Sequence, residues 1–211
     1  MEVKDTILHL DSNFIRTFIA LMKKPGQFIR AYLFGKRADF VSPVKYLFIV
    51  VALNVALSFI LDRPAISPVW IEQDGQNISN QMLSLLTSLV FILLMVPFGV
   101  GMRIAARKTG YCFVEHLSFL FYILSQAILL FIMLQLILNA MNALLNGPIE
   151  GLIWFILFTV FYIRSYPAYS GEKGRKAFGS ISLSYLIALT LIGSIMGITG
   201  LLVNHFVNSS F

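Results

Sequence analysis

Glu115 and His116 stand side by side, shortly after a basic cluster and at the start of a long apolar run. Carried forward at about 100° per residue, a helix from Glu115 places Ser118, Tyr122, Ser125 and Gln126 on roughly one face. A polar stripe within a membrane span seldom faces lipid. It has two uses. It can line a small cavity or relay protons, because an imidazole such as that of His116 ordinarily titrates near neutrality. Alternatively it holds helices together. Glu115 then sits in a first helical turn, where the dipole favours a carboxylate, near Arg103, Arg107 and Lys108. Serine, tyrosine and glutamine make interhelical hydrogen bonds. Packing is the expectation for the stripe, and for Asn54 and Gln135 as well.

Patterns for catalysis are missing. There is no H-E-x-x-H to set two metal ligands one turn apart, no P-loop and no G-x-S-x-G elbow. His205 falls in a different compartment from His9 and His116 if five spans alternate across a membrane. Cys112 is the single cysteine, which excludes an internal disulfide and a four-cysteine zinc site. The expectation is a protein that is not an enzyme, with no metal and no cofactor.

The elements that position the stripe follow from composition. Of the 211 residues, 58% are hydrophobic and only 12% charged, with a mean hydropathy of +0.82. A soluble domain carries about 25% charged residues. Too few polar side chains remain to cover a surface facing water, so the expected solvent is lipid. Each span needs about 20 mostly apolar residues. The sequence predicts an all-α polytopic membrane protein with five transmembrane helices, at about 43–61, 82–104, 113–138, 149–166 and 181–203. Pro97, Gly99 and Gly101 predict a kink in the second span. Gly193 and Gly197 in the fifth form a small-xxx-small pair for close helix approach. Residues 43–206 form the transmembrane domain, and 207–211 a short external tail.

Residues 1–42 read as a basic amphipathic cytosolic segment. A polar lead-in precedes a helix capped by Asp11 or Ser12. Phe14, Ile15, Phe18, Ile19, Leu21 and Met22 recur there at helical spacing. Pro25-Gly26 interrupts, Pro25 opens a second short helix, and Gly35 ends it. Phe28, Ile29, Tyr32 and Leu33 make its apolar face. Such a pair beside a span reads as an anchor in the membrane plane, with rings at the lipid boundary. Lys23, Lys24, Arg30, Lys36 and Arg37 then reach anionic lipid headgroups. No nucleic-acid fold surrounds this patch, so a nucleic-acid partner is not expected.

Charge sets the orientation. The opening Met-Glu-Val-Lys-Asp is not a signal peptide. With the N-terminus inside and five spans alternating, the inner side holds Lys4, Arg16, Lys23, Lys24, Arg30, Lys36, Arg37 and Lys45. It also holds Arg103, Arg107, Lys108, Arg164, Lys173, Arg175 and Lys176, leaving only Arg63 outside. Asp62, Glu72, Asp74 and Glu150 fall outside or at that boundary. This bias predicts a cytoplasmic N-terminus and an external C-terminus.

Lys24-Pro25-Gly26, Ile29-Arg30, Tyr32-Leu33, Gly35-Lys36-Arg37 and Ser42-Pro43 with Lys45-Tyr46 resemble the opening motif of an uncharacterised bacterial multi-span membrane family, the domain of unknown function 3667 type. Glu115-His116-Leu117-Ser118-Phe119 is similar to the motif at that family's middle helix, and Tyr166 with its basic loop fits the penultimate connection. Many relatives begin with a zinc ribbon, which this sequence lacks, so no ribbon role is carried over. A looser likeness, in topology alone, links the chain to Yip1-type membrane proteins. The resemblance implies a bacterial inner-membrane location and no established activity.

The expected function is that of a non-enzymatic interaction or membrane-organising component, held by anionic lipids of the cytosolic leaflet. Its further partners would be a second copy or another membrane protein. The alternative is a small oligomeric transporter, channel or lipid-moving protein that uses the polar face of the third span.

Overall fold

The computed structural model describes residues 2–61, 80–141, 147–172 and 174–209, with side chains described at 12–61, 82, 84–141, 149–172 and 174–192. The described backbone is helical throughout its regular elements: α1 (Glu2–Lys23), α2 (Pro25–Leu33), α3 (Pro43–Leu61), α4 (Asn80–Ala105), α5 (Phe113–Ala140), α6 (Gly147–Ser170) and α7 (Arg175–Ser209). A short 3₁₀ turn, Arg107–Thr109, precedes α5. Five helices, α3 to α7, are long and apolar enough to cross a membrane. Their outward faces expose Phe48, Phe59, Leu93, Leu152 and Leu186, as suits a surface solvated by hydrocarbon.

The five expected spans are present, with changes at the ends. Helix α6 runs past Tyr166 and through Pro167, because the Gly171 amide donates to the Pro167 carbonyl and closes the last turn. Helix α7 continues to Ser209, so residues 207–209 are helical. Helix α1 begins at Glu2, which overturns the cap expected at Asp11 or Ser12: the hydrogen-bonded ladder passes straight through both. Pro25 opens α2, and Gly35, at φ 111°, follows its end as expected. Arg63, Trp70, Glu72 and Asp74 lie outside the described residues.

Helix α5 is the centre. Of its most apolar stretch 67% is buried, against 39% or less for the other spans. It packs on α3, α4 and α6, and also meets α1 and α2. Helices α4 and α7 form the most extensive pair. Their close approach is at Gly101, where any side chain would strike the Ser184 carbonyl of α7. The α4 helix passes through Pro97 without a break. Gly193 and Gly197 lie beyond the residues whose side-chain surroundings are described.

The N-terminal helices do not form a separate layer. Leu21, Phe28, Ile29, Tyr32 and Val41 are buried in the same apolar cluster as the bundle interior. Helix α2 lies across α6, and Gly26 meets the Ser165 carbonyl directly. The rings of Phe28 and Tyr32, expected at the lipid boundary, instead stand edge-on to Tyr122 of α5, with centroids 5.4 and 5.6 Å away. Aromatic quadrupoles favour that geometry, and α5 offers a ring at the right height. Among the described residues of this segment, Ile15, Ile19 and Phe34 are exposed.

Candidate functional site

The polar face of α5 starts at its N-cap. The Glu115 carboxylate accepts from the Cys112 amide at 2.7 Å, closing a capping box with the Cys112 side chain. A first-turn carboxylate there satisfies a free N–H and meets the positive end of the dipole. Ser118 and Ser125 each donate to the carbonyl four residues back, on Val114 and Phe121. Both hydroxyls are thereby used within the helix itself.

Tyr122 and Gln126 reach further. The Tyr122 hydroxyl donates to the Val41 carbonyl at 2.6 Å, while the Val41 amide donates to Thr17 Oγ1 at 3.0 Å. One residue of the link between α2 and α3 is thus held from both sides, by α1 and by α5. Gln126 Oε1 accepts from the Tyr46 hydroxyl of α3 at 2.9 Å, and its Nε2 is buried with no partner among the described residues. Asn54 Nδ2 donates to Ser88 Oγ at 3.2 Å, joining α3 to α4. Gln135 is buried on α5. These bonds tie helices to one another and to the chain between them.

His116 stands apart from the stripe. It is fully buried, its Nδ1 lies 3.1 Å from the Tyr169 hydroxyl of α6, and its Nε2 has no partner among the described residues. Which of the two groups donates follows from the imidazole tautomer. Tyr111 stacks on Tyr169 at 4.7 Å and donates to its carbonyl at 3.2 Å. Burial raises the Tyr111 phenol above its ordinary pKa, with Arg30 opposing and Glu115 reinforcing the shift.

Sequence reading missed the partners on α6. Trp154, Phe158, Tyr162, Tyr166 and Tyr169 recur at spacings of four and three, a helical stripe that periodicity alone could have found. Phe119 of α5 stacks on Tyr169 at 4.4 Å, and Tyr162 shares a hydrogen bond of 2.7 Å with Ser184 of α7. No group of three or more metal-ligating side chains occurs among the described residues.

The basic residues of the N-terminal segment converge at one end. Lys23, Lys24, Arg30, Lys36 and Arg37 are all exposed. Arg164 of α6 donates to the Lys23 carbonyl at 3.3 Å. Phe34 reaches Tyr111, which stacks on Tyr169. The N-terminal helices, the turn before α5 and the end of α6 therefore share one end of the bundle, the end where the basic loops gather.

No curated protein and no solved structure matches the chain. Residues 11–55 match the model of one family, described as a protein of unknown function (DUF3667), so α1 from its middle onward, α2, the Val41 link and most of α3 carry the signature of the family that the sequence resembles.

Proposed function

We propose that the protein is a non-enzymatic interaction or membrane-organising component of the bacterial inner membrane, with its N-terminus cytoplasmic and its C-terminus external. In this reading α1 and α2 form a cationic platform, rigidly mounted on the bundle, that engages the anionic leaflet and presents itself to a membrane-protein partner or a second copy. The observation that carries the reading is the division of α2. Its apolar face is locked against α5 and α6, while its own Arg30 is exposed, as are Lys23 and Lys24 just before it and Lys36 and Arg37 just after, beside Phe34, which is 71% exposed. Membrane attraction amounts to about 1 kcal/mol per basic residue near an anionic surface.

The transport alternative has less to stand on. Glu115, Ser118, Tyr122, Ser125 and Gln126 each make a hydrogen bond within the protein, and none lines the groove between α2 and the end of α6.

The test uses the full chain in nanodiscs. Reversing Lys23, Lys24, Lys36 and Arg37 to glutamate lowers retention of phosphatidylglycerol, seen by native mass spectrometry, by more than about tenfold. Unchanged retention together with unchanged topology would refute the platform.

A further inference from the structure

Gly26 brings the backbone of α2 against the Ser165 carbonyl of α6. Past that contact the two helices leave a groove of about 620 Å³ between them, within the range of about 300–1,000 Å³ for sites that hold small organic molecules. Gln27, Arg30, Ala31 and Phe34 line one wall. They are spaced i, i+3, i+4 and i+7, a single helical stripe. Pro167 and Ala168 line the other wall, close to where the fourth span ends at Ser170. The α2 stripe thus sets one cation among mostly apolar side chains.

The protein leaves that cation unused. Arg16 pairs with Asp39 at 3.8 Å, Arg37 donates to the Tyr32 carbonyl at 3.4 Å, and Arg164 donates to the Lys23 carbonyl at 3.3 Å. Arg30 is exposed and makes no hydrogen bond or ion pair among the described residues. Its guanidinium stands 5.8 Å from the Phe34 ring centroid and reaches Gly171 at the end of α6. Ring and helix end hold the guanidinium at the groove while its donors stay open. Glu172 also borders the groove, but its Oε2 is buried and does not open onto it.

These features set the chemistry of an occupant. Five N–H donors in a planar fork match the oxygens of a phosphate. Beside them, Ala31, Phe34, Pro167 and Ala168 accept hydrocarbon. We propose that the groove seats one membrane phospholipid by its phosphodiester, with the phosphate on Arg30 and the start of an acyl chain along the apolar walls. The proposal rests on the membrane-platform reading, which places this end of the bundle at the membrane surface. It differs in kind, because the platform attracts net negative charge, whereas this seat reads the phosphate and the chain whatever the headgroup alcohol.

The experiment is native mass spectrometry of the full chain from micelles holding equal amounts of dioleoylphosphatidylglycerol, dioleoylphosphatidylethanolamine and dioleoylglycerol. A single phospholipid of either headgroup should survive collisional activation, and dioleoylglycerol should not. Arg30→Gln should lower retention of both phospholipids about tenfold, the scale of one hydrogen bond to a charged group. Arg30→Lys should recover part of it, since an ammonium keeps the charge and loses the fork. Ala31→Trp, which fills the groove and leaves Arg30 in place, should lower it as well. Melting of each lipid-free variant close to that of the parent, followed by circular dichroism, establishes that it is folded. Dioleoylglycerol retained as well as the phospholipids, or indifference to both Arg30→Gln and Ala31→Trp, overturns the proposal. So does glycerol 3-phosphate competing as well as the lipid, since the source would then be soluble. Reversal of Lys23, Lys24, Lys36 and Arg37 separates the two ideas: it should strip the more loosely held phosphatidylglycerol and leave the single seated phospholipid. If the seat fails and the platform holds, Arg30→Gln changes nothing while that reversal still removes phosphatidylglycerol.

Discussion

Tyr122 commits its hydroxyl to the Val41 carbonyl, and Gln126 commits its oxygen to Tyr46. Both are legible in the sequence as polar residues on one face of an apolar helix. Their partners are not, because Val41 and Tyr46 lie some 80 residues away in sequence. The packing role makes a quantitative forecast. In a double-mutant cycle, Tyr46→Phe and Gln126→Leu should couple by about 0.6 kcal/mol and by no more than about 1.7, the range for hydrogen bonds between membrane helices. Thermal unfolding in a mild detergent reads this directly, and additive effects would mean that the bond is not formed. Glu115→Ala should cost up to about 1 kcal/mol, as the loss of the first-turn carboxylate that completes the capping box with Cys112. A Glu115→Ala protein as stable as the parent would refute the capping role.

Helices show a different balance between what pattern and packing decide. Pro25 and Gly35 mark the two ends of α2 by local chemistry alone, one lacking an N–H and the other adopting φ 111°. The face that α2 buries is also legible in Phe28, Ile29 and Tyr32, but what covers it is not: a basic amphipathic helix looks the same whether lipid or protein receives its rings. Gly26 decides the matter sterically, since α2 approaches α6 so closely that its backbone meets Ser165. A Gly26→Leu substitution should therefore lift α2 from α6. The expected signs are a melting temperature lower by several degrees and faster amide exchange across residues 25–33, with α3 to α7 protected as before. Uniform exchange in both proteins would show that α2 is not clamped.

At the scale of the molecule, the five spans bring the N-terminal helices, the turn before α5 and the end of α6 to one end. Arg164 on Lys23 and Tyr111 on Tyr169 record that gathering. Cys112, exposed and the only cysteine, reports on that end. With a cytoplasmic N-terminus, a membrane-impermeant maleimide should label Cys112 only after intact cells or spheroplasts are lysed. Labelling of intact cells would invert the orientation.

Composition and periodicity by themselves determined the all-helical class, the five spans and the cationic character of the N-terminal segment. These depend on quantities local in the chain: the length of an apolar run, the placement of proline and glycine, and the count of basic residues in each loop. Only the tertiary structure decided that α2 seals onto α5 and α6, that His116 pairs with Tyr169 away from the stripe beside it, and that Arg30 and the end of α6 border one groove. Such pairings join residues far apart in sequence, and their identity depends on the rotation and height of each helix. Hydrophobic periodicity indicates which face turns inward but not which neighbour it meets.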